Sequence, residues 1–368
     1  MSKVDQASIL RVLQTVKDPF LDRDIVSLGF IRDLVVEDHN VKFKLVVSTP
    51  ASPVKVKLEQ AAREAVFSLP GIESVEIKLE SEIPAGRSAG GKVSIPGIRN
   101  IIAVSSGKGG VGKSTVAVNL AVALAEFGAK VGLLDTDVYG PNVPIMVGVN
   151  EEPAVRGQKL VPLEAYKVKV MSLGLLNRGD KPVVWRGPML HTAVKQFLYD
   201  VEWKDLDYLI VDMPPGTGDA QLSLAQLVPV QGAVIVTTPQ EVAMADVRKA
   251  INMFEQVHIP VLGIVENMSY FICSNCSASH AIFGTGGGEK LAGQFNTKLL
   301  GAVPLSTAVR EGGDVGVPIV IGEPESLQAT AFRQIADNVA SRIGLLAIQG
   351  DGLPVIDMSD NRGDRFVV

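Results

Sequence analysis

The chain has 368 residues and a net charge of −5; 46% of its residues are hydrophobic, 20% charged and 5% aromatic. That length exceeds what one hydrophobic core usually organises and implies about two domains, in a globular chain whose 36 glycines and 21 prolines form no single low-complexity block. The acidic balance argues against a broad grip on nucleic acid or anionic lipid, and two cysteines, Cys273 and Cys276, are too few for a disulfide framework.

The N-terminal stretch "MSKVDQASILRVLQTVKD" lacks the uninterrupted apolar core of a signal peptide, and no run reaches membrane-spanning length. A soluble, cytoplasmic protein with no membrane and no nucleic-acid partner is expected. Residues 1–80 read as a small α+β domain. Ile9, Leu10, Leu13 and Val16 recur at helical spacing, in a helix expected to stop before Asp18-Pro19. Two β-rich runs, "FIRDLVVE" and "VKFKLVVS", flank a turn at "DHN"; "PVKVKLEQAAREAVFSL" follows as a helix and "GIESVEIKLE" as a strand. Residues 81–98, rich in Gly, Pro and Ser, read as a linker.

From residue 99 to about 348 the pattern changes to an α/β one. "IIAVSS", "KVGLLD", "YLIVDM", "AVIVTTP", "VLGIVEN" and "LLGAVPL" are continuous apolar runs of strand length, alternating with helical patterns such as "KSTVAVNLAVALAEF", "MADVRKAINMFEQ" and "SLQATAFRQIADNVASRI". Strands apolar on both faces imply a doubly wound, mostly parallel sheet. Residues 349–368 carry neither periodicity nor apolar mass and are expected to form a flexible tail.

Within "SSGKGGVGKST", Gly107 followed after four residues by Gly112-Lys113-Ser114 is the Walker A spacing, set between an expected strand and an expected helix. The glycines let backbone N–H groups converge on phosphate oxygens, Lys113 neutralises β/γ-phosphate charge, and Ser114 is a candidate ligand for Mg²⁺. Asp212 ends the apolar run "YLIVD", a costly place for a carboxylate without a task, and suits contact with the metal shell. In "LLDTDVYG", Asp135 is a candidate for supporting that shell and Asp137 for orienting attacking water. Plain solvated or turn-forming roles stay open for Asp212 and Asp137. Lys108 is a second lysine in a loop that needs one; it reads equally as a solvated side chain or as a stabiliser of the transferring phosphoryl group.

Taken together, "KGGVGKST", "DTDVYGPN", "DMPPGTGD", "TTPQEVAMADVRKA" and "ENMSYFICSNC" resemble the Mrp/ApbC-type iron–sulfur cluster carriers, within the MinD/ParA/nitrogenase-iron-protein group of deviant Walker A ATPases. The resemblance covers roughly residues 98–345. It implies a slow ATPase working as a homodimer, with Lys108 reaching the nucleotide held by the partner. It also implies nucleotide binding by Gly107, Lys108, Gly109, Gly110, Val111, Gly112, Lys113, Ser114 and Thr115, switch positions at Asp137 and Asp212, and adenine contact by Asn267. On spacing alone, Asn267 reads equally as a strand-end residue capping a turn.

Cys273 and Cys276 lie close enough in sequence to ligate one metal or cluster together. No other cysteine exists in the chain, so a four-thiolate site for a 4Fe–4S cluster needs a second copy supplying its own pair, an arrangement the resemblance also implies. A zinc site including His280, a thioredoxin-like redox pair and a structurally incidental pair remain open on spacing. The glycines of "IFGTGGGEKLA" suit either close backbone approach or a flexible loop.

Residues 1–80 resemble the DUF59-like iron–sulfur assembly domain through "VKDPFLDRDIVSLGFI" and "STPASPV". Ser52 stands where members of that group usually carry a cysteine, and a hydroxyl is a poor soft-metal ligand. Asp18, Asp22 and Asp24 read as either an acidic contact face or a solvated turn. The expectation for the whole chain is an ATP-binding and ATP-hydrolysing homodimer that carries a bridging 4Fe–4S cluster from donor proteins to apo client proteins. The alternative is a spatial-positioning ATPase of the MinD or ParA kind.

Overall fold

A computed structural model describes residues 5–37, 39–47, 53–83, 85, 94–137, 140–175, 187–273 and 275–350. The expected tail, from Asp351, and Ser52 lie outside them, as do residues 84 and 86–93 of the expected linker. Two compact units divide the described residues: those up to 82, with which residues 344–350 group, form the smaller, and residues from 83 to 343 form the larger.

In the smaller unit, α1 (Gln6–Leu13) is followed by β1 (Ile31–Glu37), β2 (Asn40–Val47), α2 (Pro53–Phe67) and β3 (Ser74–Ser81). The sheet order is β1-β2-β3, with β1 antiparallel and β3 parallel to β2. Helix α1 is capped by Asp5, whose carboxylate accepts the Ser8 N–H, and it ends at Leu13, earlier than its apolar spacing predicts. Val16 is still buried, beside Ile9, Leu13, Ile25 and Phe43 in the core of this unit. Asp18 is buried and so does not belong to an exposed acidic face. Asp18 accepts the N–H groups of Phe20 and Leu21, and Asp24 those of Val26 and Ser27, so both carboxylates shape their own loop. Burial raises the Asp18 pKa above the ordinary carboxylate value.

The larger unit runs β4 (Ile98–Ser106), α3 (Lys113–Glu126), β5 (Val131–Asp135), α4 (Val143–Met146), β6 (Val155–Arg156), β7 (Lys159–Leu160), β8 (Leu163–Ala165), β9 (Val168–Ser172), α5 (Gly187–Tyr199), β10 (Leu206–Asp212) and α6 (Asp219–Leu227). It continues with β11 (Gly232–Thr237), α7 (Glu241–Gln256), β12 (Val261–Ile272), β13 (Ser279–His280), α8 (Gly287–Gln294), β14 (Leu299–Leu305), α9 (Thr307–Val315), α10 (Ile319–Gly322) and α11 (Leu327–Gly350), the last up to residue 343. The main sheet has the order β14-β12-β11-β4-β10-β5-β9-β8; every pairing from β14 to β9 is parallel and β8 is antiparallel.

Both faces of this sheet are covered. Ile101 and Ala103 of β4 join one apolar layer with Val194, Phe197, Leu224, Val247 and Phe254 from α5, α6 and α7. Ile102 and Val104, on the alternate face, are also buried, and α3 packs against β4, β5 and β10 with Val116 to Ala125 all buried. This double coverage explains why the strands read as unbroken apolar runs. Strands β6 to β8, of two or three residues, are too short to carry a period to read, and neither they nor β9 and α5 have a counterpart among the expected elements.

Candidate active site

Parallel strands end on one edge, and that edge gathers the chemistry. β4 ends at Ser106 and passes through the phosphate loop into α3, while β5 and β10 end at Asp135 and Asp212, which are paired in register. Gly112 stands at the N-terminus of α3 with φ +81°, and a side chain there would collide with the amide of Asn267. Gly107 passes so close to α7 that a Cβ would lie 2.6 Å from the Asp246 carbonyl oxygen. Packing thus requires glycine at these two positions of the loop.

Lys113, at the first position of α3, is 6% exposed, and its Nζ donates to Asp212 Oδ1 at 2.5 Å and to Ser114 Oγ at 3.3 Å. Asp212 is fully buried and its second oxygen, Oδ2, has no hydrogen-bond partner among the described residues. Burial holds the Asp212 carboxyl above the usual carboxylate range, against the opposing pull of the Lys113 ammonium. On the adjacent strand Asp135 accepts the Asp137 N–H and the Ser172 hydroxyl, each at 3.0 Å. Its pKa is pushed up to about 8, first by burial and then by the neighbouring Asp212 charge. Two carboxyls and one ammonium therefore share a water-poor site, and Asp137 lies buried next to them.

The loop after Asp212 is anchored twice. Gly216 N–H donates to the Ser106 carbonyl, and Gln221 Nε2 donates to Ser105 Oγ at 2.7 Å and to the Pro214 carbonyl at 2.9 Å. Sequence reasoning missed Gln221, whose role exists only because α6 returns over β4. Lys108 is partly exposed on the loop, and its carbonyl accepts the Ser106 hydroxyl. Asn267 is buried and donates from Nδ2 to the Val111 carbonyl at 2.9 Å, so it braces the phosphate loop from β12.

Beside Thr115 and Asn267 opens a cavity of about 370 Å³, walled by Ile145, Met146, Met268 and Val309, with Ser306 and Asp314 among its polar groups. It adjoins the phosphate loop at Thr115.

At the far end of β12, a short antiparallel pairing with β13 forms a hairpin (Phe271 with His280, Ile272 with Ser279) whose turn carries the cysteines. The Ser277 N–H donates to the Cys273 carbonyl at 2.8 Å, and Ser277 takes φ +57° to close the turn. Cys273 is partly exposed and Cys276 exposed. The Asn275 and Cys276 N–H groups, together with the Cys276 thiol, lower the Cys273 pKa and favour its thiolate, the form that ligates metal. Among the described residues no group of three or more His, Cys, Asp or Glu side chains is placed to hold a metal ion, so His280 completes no zinc site in one chain. The glycine run packs elsewhere: a Cβ at Gly287 would lie 2.7 Å from the Pro239 carbonyl oxygen, and Gly288 N–H donates to Glu266 Oε2 at 2.6 Å. Those glycines serve close approach to the end of β11 and to β12.

Residues 97–340 match the family of NUBPL iron-transfer P-loop NTPases, and residues 6–79 match the iron–sulfur cluster assembly protein family. The chain belongs to the iron-transfer P-loop NTPases. Curated relatives span nearly the whole of it. The iron–sulfur cluster carrier protein of Synechocystis sp. is 51% identical over 347 residues, covering 93% of this chain and 98% of its own. The protein of the same name from Escherichia coli is 45% identical over 351 residues, covering 95% and 94%. Among solved structures, a nucleotide-binding protein of Archaeoglobus fulgidus, in complex with ADP, is 42% identical with a TM-score of 0.55, covering 60% of this chain and 88% of its own. The cell division ATPase MinD of Pyrococcus furiosus is more distant, at 25% identity and a TM-score of 0.51 over 65% of this chain and 98% of its own. The likeness to MinD is one of fold; the family places the chain with cluster carriers. No helix among the described residues is long and apolar enough to cross a membrane.

Proposed function

We propose that the protein is an ATP-hydrolysing homodimer that carries a 4Fe–4S cluster between two copies and passes it to apo client proteins. The observation that carries this reading is the hairpin. It carries two closely spaced thiols, one partly and one more fully exposed, with no third metal-binding side chain grouped with them among the described residues, so a four-thiolate site calls for a second hairpin. The cysteines hold the cargo; the buried cradle supplies the switch.

In the cradle, backbone N–H groups of Gly109 to Thr115 bind the phosphates and Lys113 shifts from Asp212 to the β- and γ-phosphate oxygens. The Ser114 hydroxyl and the carboxylate of Asp212 fit a magnesium ion: both are hard oxygen donors, and Asp212 Oδ2 is buried without a partner. Bound there, Mg²⁺ would neutralise phosphate charge. Asp137 orients the attacking water, and Lys108, partly exposed beside the loop, reaches the nucleotide of the partner copy. The cavity next to Thr115 and Asn267 takes the nucleoside. Residues 1–80 dock donors or clients.

Anaerobic reconstitution with iron and sulfide, with metal counting and light scattering on the same sample, tests the proposal. Expected are about two irons per chain in a dimer. A monomer that retains its full iron would overturn it.

A further inference from the structure

The nucleoside cavity and the cysteine hairpin share strand β12, and between them the strand is kinked. Met268 has φ +54°, a left-handed conformation uncommon for a residue with a side chain and maintained only where its surroundings hold it. Register with β14 jumps at this point, between Asn267 and Phe271. The Met268 side chain lines the cavity, and its Cε approaches within 3.8 Å of where a Cβ on Gly112 would stand. Ser269 Oγ donates to Glu266 Oε1 at 2.7 Å, clasping the chain across the kink, while Glu266 Oε2 accepts the Gly288 N–H and Asn267 donates to the Val111 carbonyl. Five residues beyond Met268 lies Cys273.

We propose that Met268 is a positioning residue that couples the nucleoside cavity to the cluster thiols. A nucleoside entering the cavity presses on the Met268 thioether, changes how firmly the left-handed kink is held, and so redirects the strand that ends in the Cys273–Cys276 hairpin. This rests on the reading above that the cavity takes the nucleoside and the cysteines take the cargo. The kink supplies what that reading lacks, a physical route from one to the other within a single strand.

Cys273 and Cys276 are the only cysteines in the chain, so alkylation of the full-length, cluster-free protein by iodoacetamide reports on the hairpin alone. Rates are compared with and without a non-hydrolysable ATP analogue and Mg²⁺, at concentrations that calorimetry shows to saturate each protein. Nucleotide is expected to change the wild-type rate at least about fivefold. Met268→Gly, which removes both the thioether and the penalty on φ, brings that ratio to about one, whereas Met268→Leu retains most of it. Ser269→Ala, which cuts the clasp without altering the cavity wall, reduces the ratio by about half or more. A wild-type ratio in either Met268→Gly or Ser269→Ala overturns the coupling, as does a ratio of one in nucleotide-saturated wild type. Wild-type protein that binds no nucleotide would instead remove the proposed function, and the coupling with it.

Discussion

Around the phosphate loop, charged side chains are withdrawn from water and answered by one another: Lys113 by Asp212, and Asp135 by Ser172 and the Asp137 N–H. At the cysteine hairpin, at the end of a strand, Cys276 is exposed and Cys273 partly so, and local N–H groups and the Cys276 thiol favour the Cys273 thiolate. The contrast follows from what each must hold. A nucleotide is recognised by a preorganised, dry cradle that one chain can build around its strand ends. Under the proposed function, a transferable cluster has to be reached by another protein, and a thiol pair on an exposed turn leaves it open to exchange; on that reading one site is built for retention and the other for release.

That contrast can be broken at either end. The largest effect is expected from Cys273→Ser or Cys276→Ser, which should abolish the visible charge-transfer absorbance of reconstituted protein while ATP binding, followed by calorimetry, stays intact. Next comes Lys108→Ala: turnover should fall by about a thousandfold while nucleotide still binds, as for loss of an arginine finger, and an unchanged steady-state phosphate release rate would exclude the role in the partner's site. Lys113→Ala should weaken nucleotide binding by about a hundredfold. In the nucleotide-free protein it should also cost about 3–5 kcal/mol in urea denaturation, since Asp212 is left buried without its counter-charge.

The smallest effect concerns pH. Asp135 holds its proton more tightly folded than unfolded, so the nucleotide-free protein should lose stability as pH rises from about 4, the unfolded carboxylate value, through about 8, and level off above. The slope is at most about 1.4 kcal/mol per pH unit. Asp135→Asn should flatten it, leaving the variant relatively more stable at pH 8 than at pH 5. Equal slopes in the two proteins would show that Asp135 is not the group involved.

Much of this was legible in the chain itself. The phosphate loop, the carboxylates at the ends of β5 and β10 and the paired cysteines are local patterns: their chemistry depends on spacing along a strand, a turn or the first turn of a helix, which sequence states directly. Other features were not. Asn267 braces Val111, Gln221 ties the loop after Asp212 to β4, and the glycine run near residue 287 exists to let α8 approach Pro239 and Glu266. The left-handed kink at Met268 breaks no rule visible in "VENMSYF".

By itself, then, the sequence determined the parallel sheet, its phosphate loop and the thiol pair, because unbroken apolar runs and short motifs express local geometry. Only the tertiary structure decided that Asp135 and Asp212 share one buried charge environment with Lys113, and that a single kinked strand runs from the cavity beside Thr115 to the cysteines. Those are contacts between segments far apart in the chain, and burial and charge coupling arise only when the fold brings them together.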